Sequence, residues 1–350
     1  MRLHEIELVE RLGKLAGGAR VAPRAVSGAA SGALRLRQAI GDDCAVFSAG
    51  GAQDLLVTTD LFIEDVHFRR AWQPAHSIGH KVLTRGLSDI AAMGGTPRLA
   101  FLSLALPRKT TQRWIDEFLR GFLTLANRYS VVLAGGDTGS SPHGFMADII
   151  VVGEVPRGKA VLRSGARAGD AVWVSGKLGG AALDLARLRR LSGKSGGQAD
   201  SKSNKTKESG AANPYFFPQA RVAVGEYLRT HTLASAMMDI TDGLSLDLLR
   251  LTRASGVGAV VDEADVPRAV SSTATAGKGT ASRTALSAAL HGGDDFELLF
   301  TVPSRMARHV PKAINGVPLS RIGRITKQPG VRIASKGVTR PLAARGYQHF

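Results

Sequence analysis

Five short stretches of the chain place aspartate beside glycine or threonine, and most of them follow an apolar run. They are residues 41–43, 58–60, 135–137, 238–243 and 292–295. The chain has 46 Lys and Arg residues against 29 Asp and Glu residues, so a generally acidic composition does not explain these carboxylates. Two carboxylates about 4 Å apart repel by roughly 4 kcal/mol at an effective dielectric constant near 20. A fold in which several converge therefore needs a counter-cation, and Mg²⁺ bridging carboxylates to phosphates is the natural one.

Turn and cap chemistry is the alternative explanation for each stretch. Aspartate beside glycine is common in turns, and aspartate at the start of a helix accepts hydrogen bonds from free backbone N–H groups. Both interpretations stand for any single stretch. The five together favour a metal-dependent phosphoryl-transfer site.

The length of 350 residues is large for one hydrophobic core, which predicts two domains. Turn residues near 156–158 predict the boundary, giving domains at 1–155 and 156–350. Low-complexity composition predicts flexible insertions at 187–210 and 269–283, and residues 17–32 form a further irregular stretch.

Apolar periodicity predicts helices over residues 77–93 and 111–126, and strands over 99–106, 131–134, 147–152 and 171–175. This mixture indicates an α/β (α+β) protein. Residues 1–15 have the pattern of an amphipathic helix rather than of a signal peptide, and no apolar run reaches transmembrane length. With a single cysteine, Cys44, the chain suits a reducing compartment, so we expect it in the cytoplasm.

The formal net charge of +17 raises a second hypothesis, a nucleic-acid or polyanion binder. Residues 187–207 hold seven basic residues and one acidic residue, so a third of the excess lies in a low-complexity segment. Aromatic residues make up only 5% of the chain and do not alternate with basic ones. The composition therefore makes nucleic acid an unlikely main partner.

The first two aspartate stretches border two strand-like runs. If those strands are neighbours, Asp43, Thr58, Thr59 and Asp60 can share one ion, although hairpin turn chemistry also explains them. Asp89 lies inside the helix predicted over residues 77–93, where aspartate is unfavourable. It either faces solvent or reaches into a metal cleft.

Two further stretches have features of phosphate sites. Gly136 precedes Asp137 after a short strand, and glycine lets the backbone approach an anion closely. Thr241 or Asp242 is predicted to cap the helix that follows, whose N-terminus offers N–H groups to a phosphate. A P-loop-like string at 193–195 has Leu188 where the motif requires glycine, so we interpret it as linker.

Taken in order, these stretches resemble the thiamine-monophosphate kinase family, within the superfamily of aminoimidazole ribonucleotide synthetase and selenophosphate synthetase. The matching strings are residues 41–46, 58–60, 67–68, 87–94, 135–138, 163–166, 239–244, 292–298 and 346–350. The resemblance implies ATP-dependent phosphorylation of thiamine monophosphate to thiamine diphosphate. It also implies a homodimer formed by the amino-terminal domain, with ATP and metals between the domains.

The resemblance also implies roles for individual residues. Several Mg²⁺ ions would be held by Asp43, Thr58, Thr59, Asp60, Asp89, Asp137, Asp239 and Asp242. ATP would contact Gly136, Asp137, Arg163 and Thr241. Thiamine monophosphate would contact His67, Asp294 and Tyr347, and the Tyr347 ring suits a cationic heterocycle.

The chain departs from the family pattern at four positions. Gly86 stands where asparagine is frequent, Thr241 where serine is, Asp294 where glutamate is, and Ala220 where a second proline is. The acceptor is a phosphate that is mostly a dianion at neutral pH, so we expect direct in-line transfer without a general base. Another ATP-using synthetase of the superfamily and a polyanion binder are the alternatives.

Overall fold

The computed structural model describes residues 34–194, 213–269 and 278–348, together with residues 7, 8 and 11. Residues 7, 8 and 11 are helical, and the remainder of the helix predicted over 1–15 lies outside the described residues. The irregular stretch at 17–32 lies outside them as well.

The first domain is built on a mixed sheet. Its strands are β1 (Arg35–Gln38), β2 (Ala45–Ser48), β3 (Gln53–Ile63), β4 (Thr96–Pro107), β5 (Val132–Gly135), β6 (Thr138–Ser141) and β7 (Met146–Pro156). They lie in the order β1-β2-β3-β7-β4-β5, with β6 beside β4. Neighbours are antiparallel except that β5 and β6 run parallel to β4. Buried and more exposed residues alternate along β3 and β7, which is the pattern of a sheet packed on one face.

Helices α1 (Ala75–Ala92) and α2 (Gln112–Arg128) cover the packed face. A Cβ atom on Gly121 would lie 1.7 Å from the His76 carbonyl oxygen, so the two helices cross in direct backbone contact. A Cβ atom on Gly86 would lie 2.4 Å from Cγ2 of Val151 on β7. The departure at Gly86 therefore lets α1 lie very close to the sheet.

The second domain has its own sheet. Its strands are β8 (Ala171–Ser175), β9 (Ala236–Ile240), β10 (Gly258–Asp262), β11 (Glu297–Val302), β12 (Ala313–Ile314), β13 (Val317–Thr326), β14 (Gly330–Ser335) and β15 (Val338–Pro341). Their order is β15-β14-β10-β13-β8-β11-β9, with β12 beside β13. The helices are α3 (Gly180–Lys194), α4 (Val222–Thr230), α5 (Leu244–Ser255) and α6 (Lys278–His291), with 3-10 turns at Glu263–Asp265 and Ser304–His309.

Strand β9 links the two domains because both of its faces are buried. Met238 and Ile240 belong to the core of the second domain, whereas Met237 belongs to the first core, which contains α1 and α2. Side chains alternate along a strand, so Asp239 shares the face of Met237 and points toward α1. Helix α4 also packs on α1. Helix α1 is thus buried between the two sheets.

The predicted α/β (α+β) class with two domains is confirmed. The predicted helices and strands of the first half are all present, with ends shifted by a few residues. Parts of the two predicted insertions are helical, because residues 187–194 continue α3 and residues 278–283 begin α6. The leucines and alanines there favour helix over coil. Residues 195–210 and 270–277 lie outside the described residues, and the boundary at 155/156 stays a prediction. Within the described ranges, no helix is long and apolar enough to cross a bilayer.

Candidate active site

Three carboxylates from distant parts of the chain meet where the two domains join. Asp43 lies in the turn before β2, Asp89 on α1 and Asp239 on β9. Each offers an oxygen atom, and these oxygens lie within 4.8 Å of one another. Asp43 and Asp239 are buried, and Asp89 has little exposure. We call this group the carboxylate end of the site.

Hydroxyl groups and one arginine hold the three carboxylates in place. The Thr58 hydroxyl donates to Asp89, and the Ser88 hydroxyl donates to Oδ2 of Asp239 over 2.5 Å. Arg163 forms a bidentate pair with Asp43, with N–O distances of 2.7 and 3.1 Å. Asp89 and Asp239 form no ion pair with a basic residue within the part of the chain that the structure describes.

Burial raises the pKa of the Asp89 and Asp239 carboxyls well above the ordinary value, and the neighbouring carboxylates raise both further. Burial, together with Asp43, raises the pKa of Asp42 to about 7. Two effects therefore act in the same direction: the carboxyls are removed from water, and they lie close to one another. The carboxylate end is therefore suited to bind a hard cation through oxygen ligands.

The predicted residues of strand β3 lie on both faces of the sheet. Asp60 faces the cleft, where its Oδ1 accepts a 2.8 Å hydrogen bond from Nη2 of Arg85. The Thr59 side chain is exposed on the opposite face and donates to Oδ1 of Asp148 over 2.9 Å. The Thr59 side chain therefore points away from Asp43 and Thr58, because alternate residues of a strand face opposite ways, and its role as a ligand stays a prediction.

A cavity of about 620 Å³ lies between the domains beside the carboxylate end: Arg163, which pairs with Asp43, lines it, whereas Asp43, Asp89 and Asp239 themselves do not. Of the predicted site residues, it is lined by Asp60, His67, Arg163, Thr241, Asp242, Asp294 and Tyr347. Gly136 and Asp137 lie at the junction of β5 and β6 and are not among its lining residues. The exposed carboxylate of Asp137 accepts from the backbone N–H of Thr138 over 2.8 Å. The described chain thus brings most of the predicted site residues together but leaves Gly136, Asp137 and the Thr59 side chain apart from them.

The start of helix α5 differs from the prediction that Thr241 or Asp242 caps it. Gly243 is the N-cap residue, with φ of 122°, and provides no side chain. Instead, Oδ2 of the fully buried Asp247 accepts from the backbone N–H groups of residues 241, 242 and 243, at 3.0–3.2 Å. Arg250 pairs with Asp242 and with Asp247. The prediction was wrong because a carboxylate one turn inside the helix can fold back onto its own N-terminus.

Aromatic rings gather at the other end of the cavity. The ring centroids of His67 and Tyr347 are 6.4 Å apart, and Tyr215 also lines the wall. Nδ1 of His67 accepts a 3.0 Å hydrogen bond from the backbone N–H of Ile63. A neutral His67 therefore carries its proton on Nε2. We call this group, together with Asp294, the aromatic end.

A buried lysine neutralises the carboxylate at the aromatic end. Lys81 on α1 has no exposed surface, and its Nζ donates to Oδ2 of Asp294 over 2.7 Å. The same Nζ lies 4.0 Å from the ring centroid of Tyr215. Burial lowers the pKa of Lys81, while Asp294 opposes that shift. Lys81 and Tyr215 were not predicted as site residues from the sequence.

Arg85, Asp247 and Arg250 were also missed. A usable signal was present for Lys81 and Arg85, since they precede Asp89 at intervals of four residues and so share one helical face with it. Asp247 carried a weaker signal, four residues after Gly243. Tyr215 carried none, because nothing local relates it to the cavity.

Comparison with known proteins gives a consistent result. Residues 41–155 match the family described as AIR synthase related protein, N-terminal domain, and residues 167–336 match the corresponding C-terminal domain. The thiamine-monophosphate kinase of Salmonella typhimurium is 35% identical over 324 residues, which cover 91% of this chain and 94% of that protein.

Solved structures agree with the sequence matches. A structure of AaThiL complexed with AMPPCP and TMP superposes with a TM-score of 0.76 and 26% identity, covering 100% of this chain and 99% of that one. The thiamine-monophosphate kinase of Stenotrophomonas maltophilia K279a has a TM-score of 0.70 and 32% identity, covering 95% and 96%. The identity to curated relatives along nearly the whole chain, together with this fold, shows that the chain belongs to the thiamine-monophosphate kinase family.

Proposed function

We propose that this protein transfers a phosphoryl group from ATP to thiamine monophosphate, forming thiamine diphosphate and ADP. The observation that carries the proposal is a cavity with aromatic rings beside a carboxylate in one part of its wall and, next to Arg163 and Asp60 in another part, a cluster of three carboxylates that could hold a cation. A polyphosphate with its metal ions fits the first end, and a cationic heterocycle fits the second. Family membership makes this reaction the first to test.

The donor set at the carboxylate end fits Mg²⁺. The described ligand atoms there are all oxygens, and Asp89 and Asp239 have raised pKa values without a basic partner. Asp43, Asp89 and Asp239 would hold the metal, with Asp60 and Asp242 at its margin. When bound, Mg²⁺ neutralises phosphate oxygens and holds them in place. The roles of Thr58, Thr59 and Asp137 as ligands stay predictions.

Residues of this chain would align the two substrates. Arg163 lines the cavity beside Asp43 and can donate to a phosphate of ATP. His67 would present Nε2–H to the acceptor, while Asp294 and the Tyr347 ring would face its positive charge. The acceptor phosphate is already mostly a dianion at neutral pH. No described residue is therefore needed as a general base, and we propose a single in-line step.

We also propose that the protein is a homodimer. The face of the first sheet opposite α1 and α2 carries exposed apolar side chains, among them Leu61 on β3, Val132 on β5 and Met146 on β7. The two helices that pack most on this sheet, α1 and α2, lie on its other face. Burying such a face against a second copy removes apolar surface from water. Sedimentation of the purified chain tests this point, and the cytoplasmic location stays a prediction.

The decisive test is Mg²⁺-dependent ADP formation with three acceptors offered separately: thiamine monophosphate, thiamine, and formylglycinamidine ribonucleotide. ADP together with thiamine diphosphate, from the first acceptor alone, is the expected result. Turnover of the ribonucleotide instead would move the chain to the synthetase branch. Inactivity with all three, together with salt-sensitive binding to nucleic acid, would favour the polyanion hypothesis.

A further inference from the structure

Helix α1 carries three charged side chains on the face that meets the site, and the middle one, Arg85, lines the cavity. Lys81 reaches Asp294 at the aromatic end, Arg85 reaches Asp60, and Asp89 belongs to the carboxylate end. Their four-residue spacing puts them on one helical face, about 6 Å apart along the axis. Arg85 therefore lies midway between the group that would hold the metal and the group that would hold the acceptor.

The surroundings of Arg85 agree with this central position. Arg85 lines the cavity, and its side chain is only 17% exposed. Burial lowers the pKa of Arg85, but Asp60, Asp294 and Asp89 outweigh that effect and raise it. Asp60 borders the carboxylate end, and Asp294 lies at the aromatic end. The guanidinium group thus interacts electrostatically with carboxylates at both ends of the site.

Arg85 also has N–H groups that could donate further hydrogen bonds to a ligand. Its Nε and Nη2 donate to Oδ1 of Asp60 over 3.3 and 2.8 Å. Its Nη1 makes no hydrogen bond with the described residues. A guanidinium has five N–H donors in a plane that matches the oxygens of a phosphoryl group.

We infer that Arg85 is a further catalytic residue, whose guanidinium binds the phosphoryl group as it passes from ATP to the acceptor. This inference rests on the proposed function. In the step, the bond from the γ-phosphorus to the bridging oxygen breaks, and its electron pair stays on ADP. A new bond forms from an oxygen of the acceptor phosphate to that phosphorus. Arg85 neither gains nor loses a proton, and its charge balances the charge on the transferred oxygens.

A purely structural role would give different results. If Arg85 only neutralises Asp60, its removal lowers stability and changes the Mg²⁺ requirement, but turnover at saturating Mg²⁺ stays the same. If Arg85 binds the transferring group, its removal lowers turnover at saturating Mg²⁺, and substrate affinities change little. The value of kcat at saturating Mg²⁺ therefore distinguishes the two roles, whereas a loss of stability does not.

The experiment compares Arg85→Met and Arg85→Lys with Arg221→Met. Arg221 is a matched control because its side chain is 20% exposed and pairs with Glu297 through the same two nitrogens, yet it does not line the cavity. We measure kcat and both KM values at saturating Mg²⁺. Calorimetry gives two affinities. The first is for AMPPCP. The second is for ADP with aluminium fluoride in the presence of thiamine monophosphate, where aluminium fluoride imitates the phosphoryl group being transferred.

We expect Arg85→Met to lower kcat by about 100-fold or more and to weaken the aluminium fluoride complex by a similar factor, with AMPPCP affinity within about threefold. Arg85→Lys should recover part of the loss, and Arg221→Met should keep the wild-type kcat. An Arg85→Met variant with unchanged kcat, or with equal loss of affinity for both nucleotide complexes, would overturn the inference. Wild-type protein that forms no thiamine diphosphate would overturn the proposed function, and the inference with it.

Discussion

The carboxylate end and the aromatic end of the cavity differ in how their charges are balanced. At the aromatic end, Asp294 has a partner in the buried ammonium of Lys81, 2.7 Å away. At the carboxylate end, the side chains of Asp89 and Asp239 accept hydrogen bonds from hydroxyl groups and form no ion pair with the described residues. The negative charge at the aromatic end is therefore neutralised by a residue of the chain itself, whereas the carboxylate end needs added cations to neutralise its charge. This difference predicts that removing a carboxylate raises the stability of the protein at the carboxylate end and lowers it at the aromatic end.

The largest effect is expected from Asp89→Asn at the carboxylate end. Turnover should fall by about 1000-fold or more, because a central ligand for the proposed Mg²⁺ is lost. Stability measured without Mg²⁺ should rise, since one of several repelling carboxylates is removed. Thermal unfolding and ADP formation provide the two measurements.

The matched control is Asp54→Asn, another buried aspartate, which pairs with Arg37 and accepts from the backbone of Gly158 outside the cavity. This control should lower stability and leave turnover within about twofold. Equal loss of stability in both variants would contradict the difference between the two ends.

The second effect concerns pH. Burial is the main cause that raises the folded-state pKa of Asp42 and of Asp247 to about 7, above the ordinary carboxyl value of 3.8. Between these values the folded chain holds more protons than the unfolded chain, so the free energy of unfolding falls as pH rises. Bound Mg²⁺ should oppose this loss. We expect the Mg²⁺-induced rise in Tm to be larger at about pH 8 than at about pH 6. An equal rise at both pH values would argue against a cation at this end.

The third effect comes from Asp294→Asn at the aromatic end. The change leaves the Lys81 ammonium buried without its carboxylate, which should lower the free energy of unfolding by about 3 kcal/mol. The KM for thiamine monophosphate should rise by about tenfold, because the heterocycle loses a nearby negative charge. The KM for ATP should stay the same.

The double variant Lys81→Met/Asp294→Asn separates the two consequences. It should recover most of the stability, since no unpaired charge remains buried, while the KM for thiamine monophosphate stays high. Recovery of the KM along with stability would show that Asp294 acts only through folding.

The smallest effect is expected from Tyr347. Its side chain is 42% exposed, so its contact with a cationic ring is only partly shielded from water. Tyr347→Leu should raise the KM for thiamine monophosphate by about fivefold, and Tyr347→Phe should stay near wild type, because the ring face is retained. A loss in Tyr347→Phe equal to that in Tyr347→Leu would assign the effect to the hydroxyl group instead.

Local patterns in the sequence were enough to predict the elements of the first half. The helix predicted over residues 77–93 is present as Ala75–Ala92, and the strand predicted over 171–175 is present as Ala171–Ser175. The aspartate stretches indicated Asp43 and Asp239, and the unfavourable place of Asp89 inside a predicted helix indicated the third carboxylate that meets them. Both results depend on side-chain periodicity and on the position of charge within apolar runs, which are properties of neighbouring residues.

Only the tertiary structure decided which side chains face the cavity and which partners they have. Lys81 and Asp294 are 213 residues apart, and Ser88 and Asp239 are 151 apart. These pairs form because α1 is buried between two sheets, with Gly86 against Val151 on one side and β9 on the other. The same packing leaves the Thr59 side chain outside the cleft. The residues by themselves set which groups could bind a cation. The geometry that joins them depends on long-range packing, which no local pattern specifies.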